Sequence, residues 1–84
     1  MKVLKFYAEW CGPCKGLAMI INGAKDKTDV PVEDVNIDEN VFMATNFNVR
    51  GVPTIVLVDE NENEIRRKVG MMNEAQYLQF LKGE

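Results

Sequence analysis

Cys11-Gly12-Pro13-Cys14 stands at the seam between a strand-forming run and a helix-forming run, and this seam constrains the fold more than any other feature of the chain. Upstream, Lys2-Val3-Leu4-Lys5-Phe6-Tyr7 is rich in branched and aromatic residues and reads as a strand that ends at the motif. Downstream, Lys15-Gly16-Leu17-Ala18-Met19-Ile20-Ile21 sets Leu17, Ile20 and Ile21 on one face of a helix. The four residues between form a strand-to-helix turn. Gly12 lets the backbone turn tightly, and Pro13 is tolerated in the first helical turn, where its missing N–H has no intrahelical bond to lose.

That position places Cys11 at a helix N-terminus. Unpaired backbone N–H groups and the positive end of the helix dipole stabilise a thiolate there, lowering a cysteine pKa from ~8.5 into the range ~3.5–7.5. Cys11 is therefore the candidate nucleophile. Cys14, one helical turn later and nearer the interior, is placed to attack a mixed disulfide on Cys11 and release the reduced product. A disulfide closing so short a loop removes little entropy from the unfolded chain, so the pair reads as a reversible redox centre rather than a staple. The chain has two Cys and no His, so only a site shared between two chains could complete a four-ligand zinc centre. A protease-type cysteine nucleophile would also lack its histidine base.

At 84 residues the chain is expected to be one domain, 1–84, and 46% apolar with 27% charged residues is the balance of a globular protein. A net charge of −3 with no basic run gives no electrostatic footprint for nucleic acid or an anionic membrane. Lys2, Lys5 and Glu9 interrupt any apolar stretch of signal-peptide length, and nothing approaches a membrane span. The expected location is the compartment of synthesis. Two cysteines in a reactive motif, with no others, fit a reducing cytoplasm.

Beyond the first helix, Val30-Pro31-Val32-Glu33-Asp34-Val35-Asn36 reads as a second strand, and Asp38-Glu39-Asn40 offers caps for a short helix containing Val41, Phe42, Ala44 and Thr45. Thr54–Val58 is an unbroken, mostly apolar run suited to a central strand. The polar turn Asp59–Asn63 and a strand Glu64–Val69 complete a hairpin, with Glu60, Glu62 and Glu64 read as a solvated edge. Asn73 and Gln76 form a capping-box pattern ahead of Tyr77, Phe80 and Leu81, which mark a last helix. The order is βαβαββα, an α/β fold.

With that order in place, Phe6-Tyr7-Ala8-Glu9-Trp10-Cys11-Gly12-Pro13-Cys14-Lys15 resembles the active-site segment of the thioredoxin family. Val35-Asn36-Ile37-Asp38 is similar to the family's second core strand, Arg50-Gly51-Val52-Pro53-Thr54 to its cis-proline loop, and Val69-Gly70 to the end of its last strand. The resemblance covers nearly the whole chain. It implies a thioredoxin fold with a four-stranded mixed sheet, first and third strands central and helices on both faces, lacking the N-terminal strand and helix of full-length thioredoxins. It further implies that Pro53 is cis and faces the disulfide, and that Val52 offers its backbone to an extended substrate peptide while Gly51 and Gly70 keep the approach open. Trp10 and one or both of Met71 and Met72 would form the rim.

The implied activity is reduction of protein disulfides by dithiol exchange, with no bound cofactor or metal and with recycling by thioredoxin reductase or an equivalent electron donor. A monomer is expected. Two other readings are a glutathione-coupled, glutaredoxin-like oxidoreductase, suggested by length, and a thioredoxin-fold binding subunit whose redox chemistry is incidental. One departure stands out. Most members carry a buried aspartate where this chain has Lys5, and often a lysine where it has Asp34. The two charges are exchanged, and a pair beneath Cys14 with reversed polarity is expected, in which a buried ammonium favours the Cys14 thiolate.

Overall fold

Thr54–Val58 is buried at every residue, and the structure, a computed structural model describing residues 1–83, makes it an interior strand. The elements in order are β1 (Lys2–Tyr7), α1 (Gly12–Gly23), a single 3-10 turn at Lys25–Lys27, β2 (Val32–Asn36), α2 (Val41–Asn46), β3 (Thr54–Val58), β4 (Glu64–Val69) and α3 (Glu74–Lys82). The four strands form one sheet in the order β2-β1-β3-β4. β1 pairs in parallel with β2 and antiparallel with β3, and β3 pairs antiparallel with β4, so the sheet is mixed.

The alternation of side chains along β1 and β3 divides the core into two layers. Val3, Ile55 and Leu57 face one side, where α1 contributes Leu17 and Ile21 and α3 contributes Tyr77, Phe80 and Leu81. Leu4, Phe6, Val56 and Val58 face the other, where Met43, Ala44 and Phe47 of the α2 region cover them, with the Phe6 and Phe47 rings 5.9 Å apart. Each fully buried aliphatic side chain of this kind contributes roughly 1.5–3 kcal/mol. A strand buried on both faces needs apolar residues at every position, which is why β3 reads as an unbroken run rather than an alternation.

The expectation that the chain lacks an N-terminal strand and helix is corrected by this architecture. The chain has both, in β1 and α1. β1 is hydrogen-bonded on both edges, to β2 and β3, and α1 supplies Leu17 and Ile21 to the core. The N-terminal strand and helix are thus the centre of the fold, and the redox motif joins them.

Smaller differences have local causes. β2 begins at Val32 rather than Val30, because Pro31 has no N–H to place in a ladder; its carbonyl instead accepts from Val3 N at 2.9 Å. Glu64 is not simply solvated, since its carboxylate accepts from Arg67 Nη2 at 2.6 Å. That bond holds the Glu64 carboxyl below the usual range and raises Arg67. The capping box of α3 forms as expected, Asn73 Oδ1 accepting from Gln76 N at 2.8 Å and Gln76 Oε1 from Asn73 N at 2.9 Å. The far end of α3 is closed by Gly83 in the left-handed region (φ 82°) and by Arg66 Nη1, which donates to Phe80 O at 2.8 Å.

Candidate active site

Cys11 is the N-cap residue of α1, with extended backbone (φ −92°, ψ 104°), and Pro13 falls inside the first turn. The Cys11 sulfur itself acts as the cap: its Sγ accepts from Cys14 N at 3.2 Å. An orphan helix donor therefore points at the Cys11 sulfur. Cys11 and Cys14 are joined by a disulfide, their Cα atoms 5.3 Å apart. Both are nearly buried and pack with Ala8, against Tyr7, Ile37 and Val52.

Around this pair the structure brings together most of the residues singled out in the sequence. The Val52–Pro53 peptide bond is cis, and Val52 packs against the cysteine cluster. Pro53 O accepts from Gly70 N at 2.8 Å, tying the end of β4 to this loop, and Gly70 has φ 92°, a conformation that favours glycine. Thr54 Oγ1 donates to Gly51 O at 2.6 Å and fixes the loop from its other end. Met71 is half-exposed and lies across α1 at Gly16, its Cε 3.4 Å from where a β-carbon would sit, whereas Met72 is buried in the core. The two methionines therefore divide, one to the surface beside the motif helix and one to packing.

Trp10 is 70% exposed, and its Nε1 donates to Asp38 Oδ2 at 2.9 Å. The sequence shows Asp38 as a possible helix cap and as the end of the Val35-Asn36-Ile37-Asp38 segment, with no sign of its bond to Trp10. The cap of α2 is Asn40, whose Oδ1 accepts from Met43 N at 3.2 Å, leaving Asp38 free to hold the indole. Ile37 and Gly16 are also absent from the expected set. Neither carries a chemical signal of its own, and their place follows from the register of β2 beside β1 and from the helical spacing of Gly16.

Lys5 and Asp34 are register partners on β1 and β2, and their side chains form an ion pair, Nζ to Oδ1 3.0 Å. The pair is lopsided: the Lys5 side chain is 10% exposed and the Asp34 side chain 59%. Lys5 also lies 5.9 Å from the Tyr7 ring centroid. A cavity of about 580 Å³ opens beside the pair, and its lining includes Lys5, Asp34, Tyr7, Glu9, Lys15 and Cys14. The exchanged charges thus share a cavity wall with the second cysteine, yet only the cation is buried.

Among the described residues no group of three or more His, Cys, Asp or Glu side chains is arranged to hold a metal ion, and no helix is long and apolar enough to cross a membrane. The redox-active group is the Cys11–Cys14 disulfide itself.

A cysteine pair at this spacing, with the first sulfur capping a helix at the end of a central strand, defines a thiol-disulfide oxidoreductase that carries electrons through a dithiol/disulfide couple. The thioredoxin family model matches residues 1–83, and the chain belongs to that family. It is 38% identical over 81 residues to a thioredoxin of Acidithiobacillus ferridurans, covering 94% of this chain and 74% of the relative. A thioredoxin of Chlamydia pneumoniae is 40% identical over 70 residues, covering 82% of this chain and 68% of that one. Among solved structures, a single-residue mutant of a thioredoxin from Halobacterium salinarum NRC-1 superposes with a TM-score of 0.87 at 34% identity, over 96% of this chain and 71% of its own.

Proposed function

We propose that the whole chain, 1–84, acts as one monomeric domain that reduces disulfides of other proteins in the cytoplasm, with Cys11 as the attacking thiol and Cys14 as the resolving thiol. The observation that carries this reading is the bond from Cys14 N to Cys11 Sγ, which stabilises a thiolate at Cys11 in preference to Cys14. In the first step the Cys11 thiolate attacks one sulfur of the target disulfide, and the other target sulfur leaves as a thiolate. In the second, the Cys14 thiolate attacks Cys11 Sγ, closing the Cys11–Cys14 bond and expelling the remaining target thiolate. Two electrons pass to the target, and both leaving thiolates take protons from solvent.

Trp10, Val52, Pro53, Gly51, Gly70 and Met71 form the surface that receives the target, with the Val52 backbone open to an extended peptide and Gly12 leaving space beside the sulfur. Lys5, steadied by Asp34, supports Cys14: an ammonium in the same cavity favours the thiolate needed for the second step. Lys15 adds a second positive charge in that cavity.

Family membership implies two kinds of partner, disulfide-containing proteins and a reductase. A thioredoxin reductase using NADPH is the donor we propose. The test compares turnover of a protein disulfide by the chain with thioredoxin reductase and NADPH against turnover with glutathione and its reductase. Turnover in the first arm is expected. Turnover confined to the second would replace this reading with a glutaredoxin-like one.

A further inference from the structure

Cys11 and Cys14 are buried alike, 5% and 4% exposed, so exposure alone does not select the sulfur at which the disulfide is opened. Leaving-group quality does distinguish them. A thiolate that attacks one sulfur of a disulfide expels the other, and the thiol of lower pKa leaves faster. Cys11 Sγ accepts from Cys14 N at 3.2 Å, which makes it the better leaving group and makes Cys14 the sulfur that chemistry favours for attack. Such an attack needs room beside Cys14. The cavity of about 580 Å³ has Cys14 in its wall and not Cys11. Displacement at sulfur runs in line with the breaking bond, and a cavity that touches Cys14 alone of the pair offers that approach.

The charged groups around the cavity are Lys5, Glu9, Lys15 and Asp34. Glu9, Lys15 and Asp34 are exposed and screened by water, whereas Lys5 is buried. An ammonium has three donors, and the ion pair with Asp34 at 3.0 Å occupies one of them. The remaining walls, Ala8, Ala18 and Tyr7, are small or aromatic. We propose that this cavity is a second entrance to the disulfide, through which a low-molecular-weight thiol bearing an acid group attacks Cys14, with that acid group held on Lys5. The inference deepens the proposed function and rests on its assignment of Cys11 as the stabilised thiolate. The small thiolate attacks Cys14 Sγ, the Cys11–Cys14 bond breaks, and its electron pair stays on Cys11 Sγ. A second small thiolate then attacks the small-molecule sulfur of the mixed disulfide, forming the small disulfide and freeing Cys14 as a thiolate. Two thiols are oxidised and one protein disulfide is reduced, and the protons of the two thiols return through solvent to the two cysteines. The volume is that of a small-molecule site, so folded targets and small thiols meet different sulfurs of the same pair.

The experiment treats the oxidised full chain with 3-mercaptopropionate or with neutral 2-mercaptoethanol, quenches with iodoacetamide and maps the products by mass spectrometry. The expected trapped species carries 3-mercaptopropionate on Cys14 and the alkyl group on Cys11. The reverse arrangement overturns the proposal. The ratio of rate constants per thiolate, 3-mercaptopropionate over 2-mercaptoethanol, is expected to fall at least about fivefold in Lys5→Met, the worth of one partly solvated ion pair. An unchanged ratio also overturns it. Ala18→Leu narrows the cavity and should slow 3-mercaptopropionate while insulin reduction by the pre-reduced protein stays as in the wild type; an unaltered small-thiol rate would place the attack elsewhere and end the proposal. Failure of the pre-reduced wild type to reduce insulin would instead remove the functional reading beneath it, whichever sulfur carries the adduct.

Discussion

Replacing Asp34 should destabilise the chain more than replacing Lys5, although the two side chains form one ion pair. With Nζ and Oδ1 3.0 Å apart, the gross attraction is about 1.4 kcal/mol in water and about 5.5 kcal/mol at the effective dielectric of a protein surface. What each truncation costs depends on the charge left behind. Asp34→Ala leaves an ammonium whose side chain is 10% exposed, and stranding a fully buried charge costs ~3–5 kcal/mol. Water reaches the pair from the Asp34 side, and the Tyr7 ring and the Glu9 carboxylate in the same cavity give partial compensation, so the expected loss is about 2 kcal/mol. Lys5→Met strands only a carboxylate that is 59% exposed and already hydrated, and the methionine refills most of the space of the lysine stem. Its expected cost is below about 0.5 kcal/mol.

The measurement is urea unfolding of the oxidised wild type, Asp34→Ala, Lys5→Met and the double variant. For a domain of this size, about 2 kcal/mol also corresponds to a fall in Tm of roughly 8–16 °C. The double variant should resemble Lys5→Met alone, giving a coupling of about 1.5–2 kcal/mol, because once the ammonium is gone Asp34 has nothing left to neutralise. Equal costs for the two single changes, or additive behaviour, would refute the reasoning and mean that the Lys5 amine reaches water without help from Asp34.

This asymmetry also marks how far the sequence could be read. The exchange of charges is visible residue by residue, and adjacency of Lys5 and Asp34 follows once β1 and β2 are placed side by side. Their unequal exposure does not follow, because it depends on β2 being an edge strand and on the register that sets Asp34 at the rim of the cavity. The elements themselves were legible wherever one local force dominates: the buried run of β3, the capping box of α3, the turn between β1 and α1. The sulfur capping α1 was legible for the same reason, since Gly12 and Pro13 fix where a helix can start. The bond between Trp10 and Asp38 was not, because Asp38 competes with Asn40 for the cap of α2, and only the tertiary approach of the Trp10 loop decides between them.

Cys14→Ser should accumulate stable mixed disulfides with target proteins on non-reducing gels while Cys11→Ser does not; equal trapping by both would reverse or erase the assignment of the attacking sulfur. Trp10 is the only tryptophan and adjoins the disulfide, so its emission should rise on reduction, and an unchanged spectrum with thiol titration confirming reduction would place the indole out of quenching range. Tyr77→Phe should be neutral or stabilising by up to about 1 kcal/mol, because the Tyr77 hydroxyl is buried with no hydrogen-bond partner among the described residues and phenylalanine keeps the ring. Burial pushes the Tyr77 phenol up, so the folded state holds its proton more tightly than the unfolded chain. That contribution to stability is present in full below the ordinary phenol range and is lost as pH rises through the folded value, so urea unfolding at about pH 9 to 11 should show a decline in the wild type that is smaller in Tyr77→Phe. An identical decline in both would show that another group governs alkaline unfolding.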